Sequence, residues 1–374
     1  MAGSSRTPEG EEHVVAGFSR TSDSRTPDTR TPVGRTESID HHFLIVRLGS
    51  LGDVIHGIPA AAALRRTHPR ARIDWLVDPR YADLLDLVEC LDYRIPFDPR
   101  DLMEGRMGAW ATVRTLRRTR YDAVIDFQGL LKSAVVSRLI NGWRTIGFPR
   151  RHLREPLARL FYTDTPDPGT AVHVIDKNLA LLGILGVVDR SVRFPIAIPR
   201  TAAATVARER VGGDYVLVNP GAAWPNKRWL PERFGAVAAS MRDEFGLRAL
   251  VLWGPGEESL ARAVVSASQG AAAAAPPTTI PDLVGVVRGA RLVLSGDTGP
   301  LHIAAAVGTP VVALFGPTFP ERNGPWSARD EVVSRVGQCS CFYERRCRKP
   351  IACINDISVA EVCDAIRRRL GAHG

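Results

Sequence analysis

The chain has 374 residues, 45% of them apolar and 24% charged, and its 49 lysines and arginines exceed 40 acids for a formal net charge of +9. This is the composition of a soluble globular protein, long enough for two domains with separate cores. No apolar run reaches the ~18 residues of a membrane span, and the N-terminus has no apolar signal-peptide core, so neither a transmembrane nor a secreted product is expected.

Residues 1–41 repeat Arg-Thr with proline or serine nearby and have few apolar side chains, which predicts a disordered tail. Residues 43–46 then read as a buried strand, 47–53 as a glycine turn and 54–67 as a helix, the first unit of a nucleotide-binding-like half. A strand over 72–77, helices over 82–87 and 110–118, a strand over 121–126 and a helix ending near 139 follow. A helix over 172–185 leads to a polar, proline-containing linker at 187–199, giving domains at 42–195 and 196–374.

The second half restarts with a strand over 215–219 and a loop rich in glycine and proline that carries Lys227. Helices are expected over 231–245, 260–268 and 280–288, a strand over 249–253, and a low-complexity alanine insertion over 269–277. Residues 292–318 read strand, turn, helix, strand, and 358–370 make a basic terminal helix. Strand and helix alternate in both halves, so the expected class is α/β, two doubly wound Rossmann-like domains facing each other across a cleft, with a C-terminal helix.

Polar residues gather in the turns. Ser295 to Gly299 leads into a helix N-terminus, where free amides and the helix dipole attract anions, and His302 on the first turn adds a titratable group. Lys227, on a loop at the same sheet edge, is placed to neutralise a phosphate. Asp53 is either a helix cap or a general base facing the cleft, and His56 either its partner or a cover for the helix face. Asp297-Thr298-Gly299 is also the signature of aspartic proteases, but those need two copies in an all-β frame and this chain has one in an α/β pattern.

Basic clusters at 114–120, 144–159, 345–349 and 367–369 suit an acidic partner, or are solvated helix faces. Aromatics are not interleaved with them and no nucleic-acid motif is present, so nucleic acid is not an expected partner. Cys339, Cys341, Cys347 and Cys353 have spacings tolerable for a structural zinc or iron–sulfur site, with free thiols or a disulfide as alternatives.

Four segments carry a resemblance: LIVRLGSLGDVIHGIPA (44–60), YDAVIDFQGLLKSA (121–134), REPLARLFY (154–162) and SGDTGPLHIAAAVGTPVVALFGPT (295–318). On these the chain resembles the family 9 glycosyltransferases, the ADP-heptose:lipopolysaccharide heptosyltransferases, and most of all their heptosyltransferase I branch. The resemblance implies a GT-B fold, inverting chemistry and no cofactor required for catalysis. It implies ADP-heptose as donor and the Kdo inner-core region of lipopolysaccharide (Kdo-lipid A) as acceptor. By motif, Asp53 is implied to be the general base and Lys227 to bind the donor diphosphate. Glu257 or Glu258 is implied to hold the ribose, and Asp297, Thr298, Gly299 and His302 match the donor signature. Ala222 and Ala223 stand where that branch has hydroxyl residues, a loss of two phosphate hydrogen bonds.

Lys132, Arg150, Arg151 and Arg154 are candidates to hold a polyanionic acceptor. The expected site of work is cytoplasmic, peripheral on the inner face of the inner membrane, against an anionic surface. The alternatives are a relative using another sugar donor or a later core acceptor, and a non-catalytic sugar-nucleotide or nucleic-acid-binding protein.

Overall fold

The computed structural model describes residues 40–371. The tail expected over 1–41 lies outside the described residues except for Asp40 and His41.

The first unit runs β1 (His42–Val46), α1 (Leu51–Thr67), β2 (Arg72–Val77), α2 (Ala82–Leu85), β3 (Tyr93–Pro96), α3 (Pro99–Met103), α4 (Met107–Arg118), β4 (Ala123–Asp126), α5 (Leu131–Ile140), β5 (Arg144–Ile146) and α6 (Val174–Leu181). Its strands are all parallel, in the order β3-β2-β1-β4-β5. Strand β1 is an uninterrupted apolar run because crossover helices cover a parallel sheet on both faces. Phe43 and Ile45 join Ile55, Ile58 and Trp75 on one face, while Leu44 and Val46 join Val113, Leu116 and Val136 on the other.

The second unit runs α7 (Ala203–Val211), β6 (Tyr215–Asn219), α8 (Pro231–Phe245), β7 (Arg248–Val251), α9 (Glu258–Ala267), β8 (Ala272–Ala274), α10 (Ile280–Gly289), β9 (Leu292–Gly296), α11 (Gly299–Val307), β10 (Val311–Phe315), α12 (Pro320–Asn323), β11 (Glu331–Ser334) and α13 (Val359–Gly371). Its parallel order is β11-β10-β9-β6-β7-β8, the same winding with one strand more. The terminal helix expected from sequence is α13, anchored by a buried Arg369–Asp330 pair at 2.9 Å.

In each unit the winding reverses between the first and fourth strands, β1 with β4 and β6 with β9. Ligands of doubly wound folds bind at the carboxyl ends of strands flanking such a reversal.

The structure corrects the sequence reading at three places. Helix α1 begins at Leu51 with Ser50 as its N-cap, so Asp53 stands inside the first turn and not at the cap. Residues 269–277, expected as an insertion, hold β8, whose alanines lie beside β7 at the sheet edge. Strands β3, β5 and β11 were absent from the expected pattern because three or four residues with polar members carry too little periodicity to stand out, and helices α3, α7 and α12 were absent from it as well.

Candidate active site

Because β6 and β9 are neighbours, the loops leaving them meet. Lys227 Nζ donates to Asp297 Oδ2 at 2.5 Å, which joins the two loops at the reversal of the second sheet. Asp297 also accepts from Thr318 Oγ1 (2.8 Å) and Asn323 Nδ2 (2.7 Å), and its Oδ1 lies 3.2 Å from His302 Nε2. Burial alone would push this carboxyl up, but the His302 hydrogen bond and the Lys227 charge hold it below the ordinary aspartate value. Asp297 is therefore a buried anion whose lone pairs are committed to four side chains, and it fixes Lys227 and His302 in place. Thr298, the N-cap of α11, accepts from Asn219 Nδ2 at 2.8 Å, and Gly299 opens the helix. The free amides of α11 thus face the cleft beside Lys227.

The structure separates the two glutamates. Glu257 is buried and turned toward the Lys227 loop, where a β-carbon on Gly221 would lie 2.1 Å from its Oε2, and it accepts from Gly254 N at 3.1 Å. Glu258 is the exposed first residue of α9. Ala222 is buried, and its carbonyl accepts from Arg228 Nε at 2.8 Å, so a cation braces the loop where hydroxyls were missing.

Across the cleft, Asp53 Oδ2 accepts from the Ser50 amide and hydroxyl, each at 3.0 Å, and Oδ1 pairs with Arg47. The carboxylate keeps 33% of its exposure. Burial raises its pKa, but Arg47, the Ser50 hydrogen bonds and Arg322 from the other unit bring it below the ordinary value. Arg47 is itself buried and also donates to the Phe127 carbonyl.

The turn is braced from β4, where Gln128 Oε1 accepts from Leu48 N (3.1 Å) and Gly49 N (3.4 Å). Buried Asp126 holds that second loop by accepting from Gln128 N, Gly129 N, Ser133 Oγ and Tyr162 OH. The segments at 121–134 and 154–162 thus meet through Asp126 and Tyr162.

The N-termini of α1 and α11 touch. Three histidines line the contact: His56 lies 4.5 Å from His302 and 5.5 Å from His173, centroid to centroid, each pair edge-on. His56 thus turns to His302 and not to Asp53. Burial first, and then its two histidine neighbours, hold His56 well below the usual imidazole value, so it is neutral. Burial lowers His173 as well, and its Nε2 meets the Gly324 carbonyl of the second unit at 3.2 Å.

Lys132, Arg150, Arg151 and Arg154 are exposed in the segments following β4 and β5, at the sheet edge that carries the Asp53 turn. Arg151 pairs with Asp167; the other three have no carboxylate partner among the described residues. None of the four joins the Lys227–Asp297 network.

Cys339, Cys341 and Cys353 are buried together with Cys347 at their flank, and the first two sulfurs lie 3.5 Å apart. Among the described residues, however, no group of three or more His, Cys, Asp or Glu side chains is arranged to hold a metal ion. The zinc or iron–sulfur site expected here therefore finds no support. Burial raises the pKa of Cys339 and Cys353, and protonated thiols in contact behave as small apolar groups.

Arg47, Gln128, His173, Thr318, Arg322 and Asn323 were not singled out in the sequence as site residues. Arg47, Gln128 and Thr318 had a signal, since each lies within one of the four motif segments at the edge of a turn.

Residues 109–352 match the family model described as glycosyltransferase family 9 (heptosyltransferase). The chain is 29% identical over 319 residues to lipopolysaccharide heptosyltransferase 1 of Pseudomonas aeruginosa, spanning 81% of this chain and 86% of that protein. Among solved structures it is similar to the E. coli heptosyltransferase WaaC with ADP, at a TM-score of 0.68 and 25% identity over 88% of this chain and 99% of that one. The same enzyme with ADP-2-deoxy-2-fluoro heptose gives a TM-score of 0.64 at 25% identity, over 89% and 100%. The two parallel-sheet units have the GT-B arrangement.

Proposed function

The chain belongs to glycosyltransferase family 9 and is a heptosyltransferase of lipopolysaccharide core assembly; from that premise we propose that it moves heptose from ADP-heptose to the Kdo region of the inner core. The observation that carries this reading is the Lys227–Asp297–His302 network at the N-terminus of α11, set against Asp53 on the helix that α11 touches.

In the proposed reaction an acceptor hydroxyl attacks the anomeric carbon in line with the departing diphosphate. The new C–O bond forms as the bond to the β-phosphate breaks, the hydroxyl proton passes to Asp53, and ADP leaves with the bonding pair. Lys227 and the free amides of α11 stabilise the charge that grows on the leaving phosphate, with His302 beside them. A donor diphosphate competes with Asp297 for the Lys227 ammonium. Asp53 is ionised at neutral pH and receives the proton as the attacking oxygen becomes acidic during bond formation. Glu257, rather than Glu258, is the residue we assign to the ribose.

In this reading residues 196–374 hold the donor and residues 42–195 the acceptor, whose anionic groups meet Lys132, Arg150, Arg151 and Arg154. The acceptor is lipid-linked, and we place the enzyme in the cytoplasm, at the anionic inner face of the inner membrane. No helix among the described residues is long and apolar enough to cross a membrane. Exposed Leu157 and Leu160, in the same segment as exposed Arg150 and Arg154, support contact with an anionic lipid surface.

The test is ADP release that requires both ADP-heptose and a Kdo-lipid acceptor. Asp53→Ala should lower turnover by about 10²–10⁴-fold while ADP still binds. Unchanged turnover in that variant would reduce Asp53 to a helix-capping residue.

A further inference from the structure

We propose that Phe319, Phe342 and Tyr343 form a sugar-stacking platform, with Arg322 as its carboxylate anchor, that holds an acidic pyranose of the acceptor at the mouth of the cleft. The identity of the ligand as the acceptor rests on the function proposed above, and the platform adds one contact from residues 196–374 to an acceptor otherwise held by residues 42–195.

All three aromatics are exposed, at 37%, 43% and 39%. Exposed aromatics standing singly are ordinary, but these are stacked. Phe319 and Phe342 have centroids 5.2 Å apart and planes 22° apart, and Phe319 and Tyr343 are 6.0 Å and 36° apart. Contiguous apolar surface of this kind marks a binding site.

The platform is held from two sides. Phe319 follows Thr318 and precedes the short helix ending in Asn323, both of which donate to Asp297. Phe342 and Tyr343 lie on the loop at 339–352, which has neither helix nor strand. The buried side chains at its two ends are Cys339, Cys341 and Cys353. The thiol cluster faces inward, and the residues that follow Cys341 turn outward onto Phe319. Tyr343 has φ +56°, a conformation rare for a bulky side chain and kept only where neighbours impose it. Its amide donates to the Pro317 carbonyl at 3.1 Å, and the next residue's carbonyl accepts from Asn226 Nδ2 at 2.9 Å, one residue before Lys227.

Arg322 places the platform relative to the chemistry. Its guanidinium lies 5.5 Å from the Tyr343 ring centroid, and no carboxylate pairs with it among the described residues. Two residues on, the Gly324 carbonyl meets His173 Nε2 of the first unit at 3.2 Å, so Arg322 stands where the two units face each other, and its charge acts on Asp53, His173 and Lys177. Glu257 marks the opposite side, beyond β7, whereas the platform follows β10, with β9 and β6 between them. The apolar C–H face of a pyranose packs on aromatic rings, and a guanidinium pairs with a carboxylate. Side by side, the two select a sugar that has both features.

Two measurements test this. In steady-state kinetics, Phe342→Ala and Tyr343→Ala should each raise the acceptor KM about tenfold, with kcat, donor KM and ADP affinity within about twofold, and Arg322→Gln should raise the acceptor KM by a similar factor with ADP affinity unchanged. Tyr343→Phe should restore the acceptor KM. Independently of turnover, saturation transferred from protein aromatic protons should reach the ring protons of a lipid-free Kdo disaccharide, and Phe342→Ala should abolish it. An unchanged acceptor KM in both alanine variants, or no saturation transfer, overturns the platform. A parallel tenfold loss of ADP affinity also overturns it, by making the loop a prop for the donor side. Saturation transfer with no heptosyl transfer by the unmodified enzyme would sink the reaction reading and leave the platform standing.

Discussion

Gly52 and His302 meet across the two units so closely that a β-carbon on the glycine would stand 2.3 Å from Cδ2 of the ring. The contact is reciprocated one residue away, where a β-carbon on Gly299 would stand 2.6 Å from Cδ2 of Leu51. Each helix start is a glycine seat for a side chain of the other. Asp53 and the turn at Asp297 are thereby held at one fixed approach.

Gly52→Ala should wedge this seat open. Overpacking a tight contact costs about 1–3 kcal/mol, and here it also separates Asp53 from α11. The expected result is a lowered unfolding midpoint and at least a tenfold lower kcat/KM, read by calorimetry and steady-state kinetics. Full activity in this variant would mean that the reacting arrangement does not use the contact.

Lys227→Met should weaken ADP binding and destabilise the fold, because it leaves Asp297 as a buried carboxylate without its cation, a loss of about 3–5 kcal/mol for a broken buried pair. Adding Asp297→Asn should return part of the stability and none of the ADP affinity. Titration calorimetry and denaturant unfolding on the same three proteins separate the two effects.

Arg47→Gln should move the acid limb of the kcat/KM profile to higher pH. Arg47 helps hold Asp53 below the usual aspartate value of ~3.9, so in the unmodified protein this carboxyl stays ionised through the neutral range, and if it is the base, activity falls only at lower pH. Without the guanidinium, protonation sets in earlier as pH falls. A profile from pH 4 to 8 in which the two limbs coincide would show that Arg47 only shapes the turn.

Stability should fall in two stages on acidification. His56 and His173 have lowered folded values, so below the unfolded histidine value of ~6.5 the unfolded chain takes up protons that the folded chain refuses, and stability drops as pH falls from there. Asp53 and Asp297 are also lowered; their contribution is intact above ~4 and lost beneath it. His56→Asn should flatten the first stage and leave the second, measured as unfolding midpoints between pH 8 and 3.

Glu257→Gln should reduce ADP affinity while Glu258→Gln does not, since only Glu257 faces the Lys227 loop. Equal effects would assign the ribose elsewhere.

Much of this was legible in the residues, for reasons that differ between elements. The β1, β6 and β9 runs are apolar because both faces are covered, and the glycine turns after them announce the carboxyl edge. What lay hidden was tertiary. Thr318 and Asn323 reach Asp297 from 21 and 26 residues away, a distance over which no local pattern operates. Glu257 and Glu258 are adjacent, and only the phase of α9 decides which one is buried. The alanines at 272–274 have almost no side chain to show a period, so a strand read as filler. The cysteine spacing was compatible with several chemistries, and spacing does not reveal which way four sulfurs turn.

That alanine strand bears on how the protein behaves in a crowded solution. A sheet edge with free carbonyls and amides is a template on which a second chain can extend the sheet. Here β8 is only three residues long, Arg210 donates to the outward Ala274 carbonyl at 3.3 Å, and the outward Ala272 amide donates to Ser268 Oγ at 3.0 Å. The edge is stopped by a cation and a hydroxyl before it can recruit a neighbour, which protects the protein from edge-to-edge aggregation.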